Sequence, residues 1–374
     1  MKIPLSAPDI TEADIAAVSA VLRTSRLSLG PQLEVFEQSL ARYIGASHAV
    51  AVNSGTSALH LCIRALGISE GDEVIVPSFA FIAVANVLGY ERAVPVFIDI
   101  DPGTLNLDPA RLEEAITPRT RAIIVVHTFG CPAGLDEILA IARRHNLFVI
   151  EDACEALGAQ FDRRQVGSFG HAAVFGFYPN KQITSGEGGM LVTNDSNVAV
   201  LARRLRNQGR REYGEWLQHD ELGYNYRISE LNCALGASQL QRLESILERR
   251  EAVAREYHRR LETESGLQLP AIELPRRRIS WFVYVLRLRE SFSAAQRDHI
   301  LQEMASRGIA CGRYFAPIHL QPAYRKQPHR CTTLTHTESI APRSLALPFF
   351  NNISVEQIEE VCRTLIEILR KMRQ

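Results

Sequence analysis

The chain has 374 residues, too many for one ordinary hydrophobic core, so its length predicts two or three domains. Its hydrophobic fraction of 46% and charged fraction of 22% are typical of a globular protein. The 42 basic residues balance the 42 acidic ones, and no run of about 18 apolar residues occurs, so the sequence predicts no nucleic-acid partner and no membrane span.

The first half of the chain alternates short apolar runs with helical patterns. After an N-terminal helical segment, we predict strands over 48–52, 73–77, 94–98, 122–126 and 147–150. Helical spacing of apolar residues predicts helices between them, over 57–66, 81–88, 109–116 and 135–145. This alternation is typical of an α/β domain with a mainly parallel central sheet flanked by helices. Ligands of such sheets lie beyond the carboxyl ends of the strands.

The second half predicts a further strand pair, around residues 172–175 and 190–192, and a single long helix over 230–257. Beyond it we predict a strand over 280–288, a helix over 293–307 and a last helix that begins at a capping box of Ser354 and Gln357. The prediction is therefore a large domain of residues 1–245 and a smaller C-terminal α+β domain of residues 246–374.

Lys181 is the most informative residue, because it lies in a Pro-, Asn- and Gly-rich turn between two apolar strands. A lysine with a desolvated amine attacks carbonyl groups and forms a Schiff base. A surface lysine on a turn is the plainer interpretation, and for this segment alone it is favoured.

Three upstream segments carry complementary chemistry. Gly55, Thr56 and Ser57 follow a strand and open a helix, a place where backbone N–H groups and hydroxyls bind phosphate or simply cap the helix. Asp152 follows a very apolar strand, where a carboxylate either caps a helix or holds a pyridine nitrogen protonated. Phe81 follows another strand and either stacks on a planar ring or belongs to the core.

Taken together, these segments resemble the DegT/DnrJ/EryC1/StrS family of sugar aminotransferases. That family has fold type I of the enzymes that depend on pyridoxal phosphate (PLP). The resemblance covers nearly the whole chain. Its motifs are Asn53-Ser-Gly-Thr-Ser-Ala-Leu-His, Glu151-Asp-Ala-Cys-Glu-Ala-Leu-Gly, Phe177-Tyr-Pro-Asn-Lys-Gln-Ile-Thr-Ser-Gly-Glu-Gly-Gly, Gly223-Tyr-Asn-Tyr-Arg-Ile-Ser and His319-Leu-Gln-Pro-Ala-Tyr.

The resemblance implies a role for each matching residue. Lys181 would form the Schiff base with PLP and then move the proton, and Asp152 would pair with the pyridine nitrogen. Phe81 would stack on the ring, and Gly55 and Thr56 would bind the phosphate. Asn225 would reach that phosphate from the partner subunit, so the active unit would be a homodimer with shared sites.

Two positions depart from the family pattern. Where many members have serine five residues before the lysine, this chain has Gly176, so one hydroxyl is missing and Ser57 or water is expected to replace it. Where many members have glutamine beside the ring hydroxyl, this chain has Glu155, whose carboxylate would repel a phenolate unless one of the two carries a proton. Relatives that dehydrate sugars have histidine in place of the lysine, so Lys181 argues against dehydration.

The family's usual substrates are a nucleotide-linked keto sugar and L-glutamate as amino donor. For the diphosphate and the sugar, the sequence offers Arg210, Arg211, Arg227 and His319, although a solvated or structural role stays open, above all for His319. The ring carbon, C3 or C4, is left open, with resemblance to perosamine-synthase-like members favouring 4-keto sugars.

Two alternatives remain: amination of a free cyclitol ketone, and a regulatory protein that binds PLP without catalysis. Lys181 and Asp152 argue against the second. The seven scattered cysteines contain no CxxC pair, and the N-terminus has no leader pattern, so we expect a cytoplasmic protein with reduced thiols. No metal site is predicted.

Overall fold

The computed structural model describes residues 2–211 and 217–373. Within them, the twelve α-helices are α1 (Glu12–Leu22), α2 (Pro31–Ile44), α3 (Gly55–Ala65), α4 (Ala83–Tyr90), α5 (Leu112–Ala115), α6 (Leu135–Arg144), α7 (Ser196–Arg206), α8 (Glu230–Gln241), α9 (Leu243–Leu261), α10 (Ala294–Ser306), α11 (Thr335–Ile340) and α12 (Val355–Arg373). The fourteen strands are β1 (His48–Val52), β2 (Glu73–Pro77), β3 (Val94–Ile98), β4 (Thr120–Val126), β5 (Phe148–Asp152), β6 (Gln160–Phe161), β7 (Arg164–Gln165), β8 (Ala172–Gly176), β9 (Gly189–Thr193), β10 (Leu267–Gln268), β11 (Arg277–Arg278), β12 (Tyr284–Leu288), β13 (Arg330–Cys331) and β14 (Ser344–Leu347).

An eight-stranded sheet forms the centre of the molecule, in the order β1-β9-β8-β5-β4-β2-β3-β13. Its neighbouring strands pair in parallel, except that β9 runs antiparallel to both β1 and β8. The predicted α/β fold with a mainly parallel central sheet is confirmed. The carboxyl ends of β1, β5 and β8 therefore share one edge of this sheet.

Two hydrophobic layers cover the faces of the large sheet. Along β1, Ala49 and Ala51 belong to one layer, and Val50 and Val52 to the other, as expected for side chains that alternate across a strand. Residues of α2, α6, α8 and α9 complete the first layer, and residues of α3, α4 and α7 complete the second. Both faces of the strands are buried, which explains their continuous apolar runs in the sequence.

A third hydrophobic cluster lies in the C-terminal part of the chain, around the antiparallel sheet β10-β12-β14 and helices α10 and α12. Ile3, from the N-terminus, joins this cluster. Helix α9 contributes Leu243, Ile246 and Leu247 to the large-sheet layer and Tyr257, among others, to the C-terminal cluster. The division at residues 245 and 246 stays a prediction, and α9 is the element that joins the two cores.

The prediction of one helix over 230–257 is wrong, because α8 ends at Gln241 and α9 begins at Leu243. Arg242 between them leaves the helical conformation, with ψ at 16°. Its guanidinium binds Asp9 and Asp14 near the N-terminus, at 3.0 and 3.1 Å. This tertiary contact outweighs the local helical pattern, which continues through the break.

The predicted strand over 280–288 begins only at Tyr284. Before it, the backbone N–H groups of Ser280 and Phe282 donate to the carbonyl oxygens of Gly130 and Phe129 in the large domain. The C-terminal domain thus places Phe282 against the loops that follow the large sheet. No helix among the described residues combines the length and the apolar run needed to cross a bilayer.

Candidate active site

A cavity of about 650 Å³ opens where the carboxyl ends of β1, β5 and β8 meet the C-terminal domain. Seven of the residues singled out in the sequence line it together: Gly55, Thr56, Phe81, Asp152, Glu155, Gly176 and Lys181. They are far apart in the chain and meet because their segments all leave the same edge of the sheet. The cavity is the candidate active site.

Lys181 extends from a folded loop between β8 and β9. The loop closes on itself through hydrogen bonds from the Phe177 N–H to the Gly188 carbonyl and from the Ser185 N–H to the Phe177 carbonyl. The Lys181 side chain is 16% exposed. Its Nζ lies 3.9 Å from Glu155 Oε1 and 4.0 Å from the centre of the Phe282 ring. The amine is therefore held inside the cavity by a carboxylate and an aromatic face.

Asp152 and Glu155 place two carboxyl groups at the end of β5. The backbone N–H of Cys154 donates to Asp152 Oδ1 at 3.1 Å, which fixes one carboxylate oxygen. Glu155 is buried and accepts a hydrogen bond of 2.9 Å from the Phe129 N–H. Burial raises the pKa of Glu155 to about 7, although Lys181 and the Phe129 N–H both act in the opposite direction. Glu155 therefore exchanges its proton near neutral pH.

The first turn of α3 forms one end of the cavity. Ser54 caps the helix by accepting the Ser57 N–H at 3.0 Å, and the backbone of Gly55 and Thr56 faces the cavity. A Cβ on Gly189 would lie 2.2 Å from the Ser54 carbonyl oxygen, so only glycine at the start of β9 lets the helix start lie this close to the sheet. The free N–H groups of this turn make it suited to an anion.

Ser57 does not line the cavity. Its hydroxyl donates to Asn53 Oδ1 at 2.7 Å and lies 2.9 Å from the Ser54 hydroxyl. Both contacts belong to the capping network of α3, so Ser57 would have to give one up to bind a phosphate. The proposal that Ser57 replaces the hydroxyl missing at Gly176 thus has little support from this geometry.

The predicted arginines and Asn225 lie outside the cavity lining of the described chain. Asn225 is exposed and forms an isolated backbone bridge with Asn207. Arg227 donates to the Asn207 side chain at 2.9 Å. Arg210 is half-buried, and Arg211 binds both oxygens of Asp220 at 2.7 and 2.9 Å. Within one subunit, these residues therefore do not reach Lys181, and their assigned roles stay predictions.

His319 has a structural environment. Its Nδ1 lies 2.7 Å from the Ser78 hydroxyl and its Nε2 lies 3.1 Å from Glu338 Oε1. The side chain is 9% exposed and does not line the cavity. His319 thus connects the C-terminal part of the chain to the loop after β2, and its role in binding the sugar stays a prediction.

Sequence reasoning missed the wall that the C-terminal domain contributes. Phe282, Arg313, Tyr314 and Phe315 line the cavity opposite the large sheet. Nothing in their local sequence indicates chemistry, and only the contact between the C-terminal part of the chain and the large sheet brings them to Lys181. Asn180 was missed as well, although it precedes the lysine directly, and its buried Oδ1 has no hydrogen-bond partner.

The residues present fit PLP. The cavity joins an amine, a carboxylate at the end of a strand and a helix start suited to an anion, and Phe81, 61% exposed in the single chain, adds an aromatic face. The unpartnered Asn180 Oδ1 provides a further polar group for a ligand. Phosphate, pyridine ring and aldehyde each find a complementary group.

Comparison with known proteins agrees with this geometry. The model of the DegT/DnrJ/EryC1/StrS aminotransferase family matches residues 8–366. The chain is 40% identical over 374 residues to the GDP-perosamine synthase of Caulobacter vibrioides, a match that covers 98% of each chain.

Two solved aminotransferase structures are each similar to this chain over nearly their whole length. PseC of Helicobacter pylori, an aminotransferase of pseudoaminic acid biosynthesis, superposes with a TM-score of 0.95 at 28% identity and covers 99% of this chain and 100% of its own. Spr1654 of Streptococcus pneumoniae, assigned as a sugar aminotransferase, superposes in its PLP form with a TM-score of 0.94 at 27% identity and 99% coverage of both chains. It has also been solved in a PMP form.

Proposed function

This chain belongs to the DegT/DnrJ/EryC1/StrS aminotransferase family, and we propose that it transfers an amino group to the keto group of a nucleotide-linked sugar. The single observation that carries the proposal is the meeting of Lys181, Asp152 and the α3 start in one cavity. The likeness to a GDP-perosamine synthase supports a nucleotide-linked acceptor, with a 4-keto sugar favoured. L-Glutamate is the proposed amino donor, and the cytoplasm is the proposed location.

PLP is the cofactor of this family, and when bound it supplies an electron sink for the negative charge that develops at the substrate carbon. Lys181 holds the cofactor through its amine. The same amine would also be placed to move a proton at the substrate carbon, as a general acid and base. The Phe282 ring and Glu155 keep it in the cavity.

Asp152 would keep the pyridine nitrogen protonated, which its fixed position at the end of β5 favours. Gly55, Thr56 and the N–H groups of the first α3 turn would bind the phosphate. Phe81 would provide an aromatic face for the ring. Glu155 would face the ring hydroxyl, and its raised pKa would let it carry the proton that removes the repulsion between a carboxylate and a phenolate.

The site is proposed to be completed by a second copy of the chain. Asn225 is exposed and lies outside its own chain's cavity, so it is free to reach the phosphate bound by a partner subunit. Arg227 lies two residues farther on and would accompany it. Together with Arg210 and Arg211, it is the proposed contact for the acceptor's diphosphate.

Incubation with L-glutamate and a panel of keto compounds tests this function. We expect 2-oxoglutarate and an amino sugar, detected by mass spectrometry, only with nucleotide-linked keto sugars. Conversion of a free cyclitol ketone, with nucleotide-linked sugars left unchanged, would contradict the proposed acceptor. Failure with every ketone, despite bound cofactor, would favour the regulatory alternative.

A further inference from the structure

The described lining of the cavity has more acidic than cationic side chains. Among its described lining residues, three are acidic, namely Asp152, Glu155 and Glu187. Two are cationic, namely Lys181 and Arg313. Lys181 is engaged with Glu155 and, in the proposed function, with the cofactor. For a dicarboxylate such as L-glutamate, Arg313 would therefore be the remaining cation of that described lining.

Arg313 has a firmly held backbone and a replaceable side-chain partner. The neighbouring Gly312 exchanges two backbone hydrogen bonds, of 3.0 and 2.8 Å, with Ala346 in β14. The Arg313 side chain is 60% exposed and places one guanidinium nitrogen 2.9 Å from Asp298 Oδ1. Asp298 also accepts a hydrogen bond from Arg297. Because exposed ion pairs are weak, Arg313 can exchange Asp298 for the carboxylate of a ligand.

We propose that Arg313 binds a carboxylate of the amino donor, an inference that rests on the proposed function. The planar guanidinium matches a carboxylate with two parallel hydrogen bonds. The donor is small, so the residues that line this cavity must hold all of it. In the acceptor, a sugar ring separates the reacting carbon from the diphosphate, which is assigned above to arginines outside the lining. Arg313 is thus assigned to the donor.

The substitution Arg313→Ala tests the assignment in two ways. The first is the affinity for glutarate, an unreactive dicarboxylate, measured by calorimetry. We expect Arg313→Ala to weaken it about tenfold or more, since hydrogen bonds to charged groups are strong ones, and Arg313→Lys to weaken it less. The second is the half-reaction with L-glutamate, whose half-saturating concentration should rise equally, while that for the keto sugar stays unchanged.

Arg307→Ala is the matched control. Arg307 follows α10 in the same part of the chain, pairs with Glu367 and does not line the cavity, so its loss should leave glutarate binding unchanged. Asp298→Asn should act in the opposite direction, because it releases Arg313 from its competing carboxylate. Glutarate should then bind more tightly than to the native enzyme.

Equal glutarate affinity in the native enzyme and Arg313→Ala would overturn the assignment, provided that both melt at the same temperature. A variant impaired only with the keto sugar would overturn it as well, by assigning Arg313 to the diphosphate. A native enzyme that binds glutarate but does not react with L-glutamate would instead contradict the proposed donor. The two failures are therefore distinguishable.

Discussion

Glu155 gives the site a titrating group that its usual glutamine counterpart would lack. Its carboxyl is buried, is 3.9 Å from Lys181 and has a pKa raised to about 7. A glutamine keeps the shape and the hydrogen-bonding oxygen but has no proton to exchange. The pH dependence of the reaction should therefore change when this one residue is replaced.

We expect the rate of amino transfer by the native enzyme to change with pH around an apparent pKa near 7. Glu155→Gln should lack this change. Rates measured between pH 5.5 and 8.5, a span chosen to bracket about one and a half units on each side of that pKa, provide the check. The surface substitution Glu113→Gln is the control and should keep the native profile. An unaltered profile in Glu155→Gln would assign the transition to another group.

The free energy of unfolding should also depend on pH, between the ordinary pKa of Glu155 and its raised value of about 7. The folded chain keeps the Glu155 proton up to about pH 7, whereas an unfolded chain loses it near the ordinary pKa of 4.5. The folded state then binds more protons, so the free energy of unfolding falls as the pH rises between these values. Glu155→Gln, measured without cofactor, should lack this contribution.

Among the elements, β8 and α3 approach each other closely at the end of the cavity that is proposed to bind the phosphate. Gly176 ends β8, and its Cα lies 3.4 Å from the position that a Cβ on Gly55 would take. A Cβ on Gly176 itself would lie 3.4 Å from Cys154 and 3.9 Å from the Gly55 Cα, which are ordinary contacts. The strand end can therefore accept a small side chain without displacing the helix start.

Gly176→Ser should tighten cofactor binding, because it adds a hydroxyl beside the first turn of α3. A gain of roughly tenfold or more in affinity is expected for one hydrogen bond to a charged group. Gly176→Ala is the control, since it adds the Cβ without the hydroxyl. Cofactor dissociation, followed by fluorescence, measures both. Weaker binding by the serine variant than by the alanine variant would contradict the placement of the phosphate.

The elements also show what the sequence could predict. Seven strands of the large sheet were predicted within two residues of their ends, because strands buried on both faces leave continuous apolar runs. The helix break at Arg242 was not predictable, since its cause is a contact with Asp9 and Asp14 more than 200 residues away. A local sequence pattern does not indicate such long-range contacts.

The residues of the candidate site likewise divide into those that the sequence could predict and those that it could not. Gly55, Asp152 and Lys181 were predictable because each follows a strand of one sheet, and strand ends share an edge. Phe282, Arg313 and Phe315 were not, because they reach the cavity only through the packing of one domain on another. Sequence patterns place residues on elements, and the tertiary fold decides which elements meet.

At the scale of the whole molecule, the proposed sharing of active sites between two subunits can be tested with two variants that are mixed. Asn225→Ala should bind PLP too weakly to be active at a limiting cofactor concentration, and Lys181→Ala should be inactive. In a hybrid dimer, one site would combine the native Lys181 of the first chain with the native Asn225 of the second. That site should be active.

Mixing the two inactive variants in equal amounts, after mild dissociation and reassociation, should therefore restore about a quarter of the native activity, since about half of the dimers are hybrids and one of the two sites in each hybrid is intact. Each variant treated alone is the control and should stay inactive. No recovery in verified hybrids would show that Asn225 acts within its own chain or not at all, and the shared site would have to be abandoned.

Lys181 is proposed to hold PLP in the cavity, where an amino donor would react with it. The most direct measurement is the visible absorbance of the purified protein with PLP, before and after addition of L-glutamate, with Lys181→Ala measured in parallel. We expect a band from lysine-bound cofactor that L-glutamate bleaches, and no such band in the variant. A native protein without the band, or a variant that keeps it, would contradict the account.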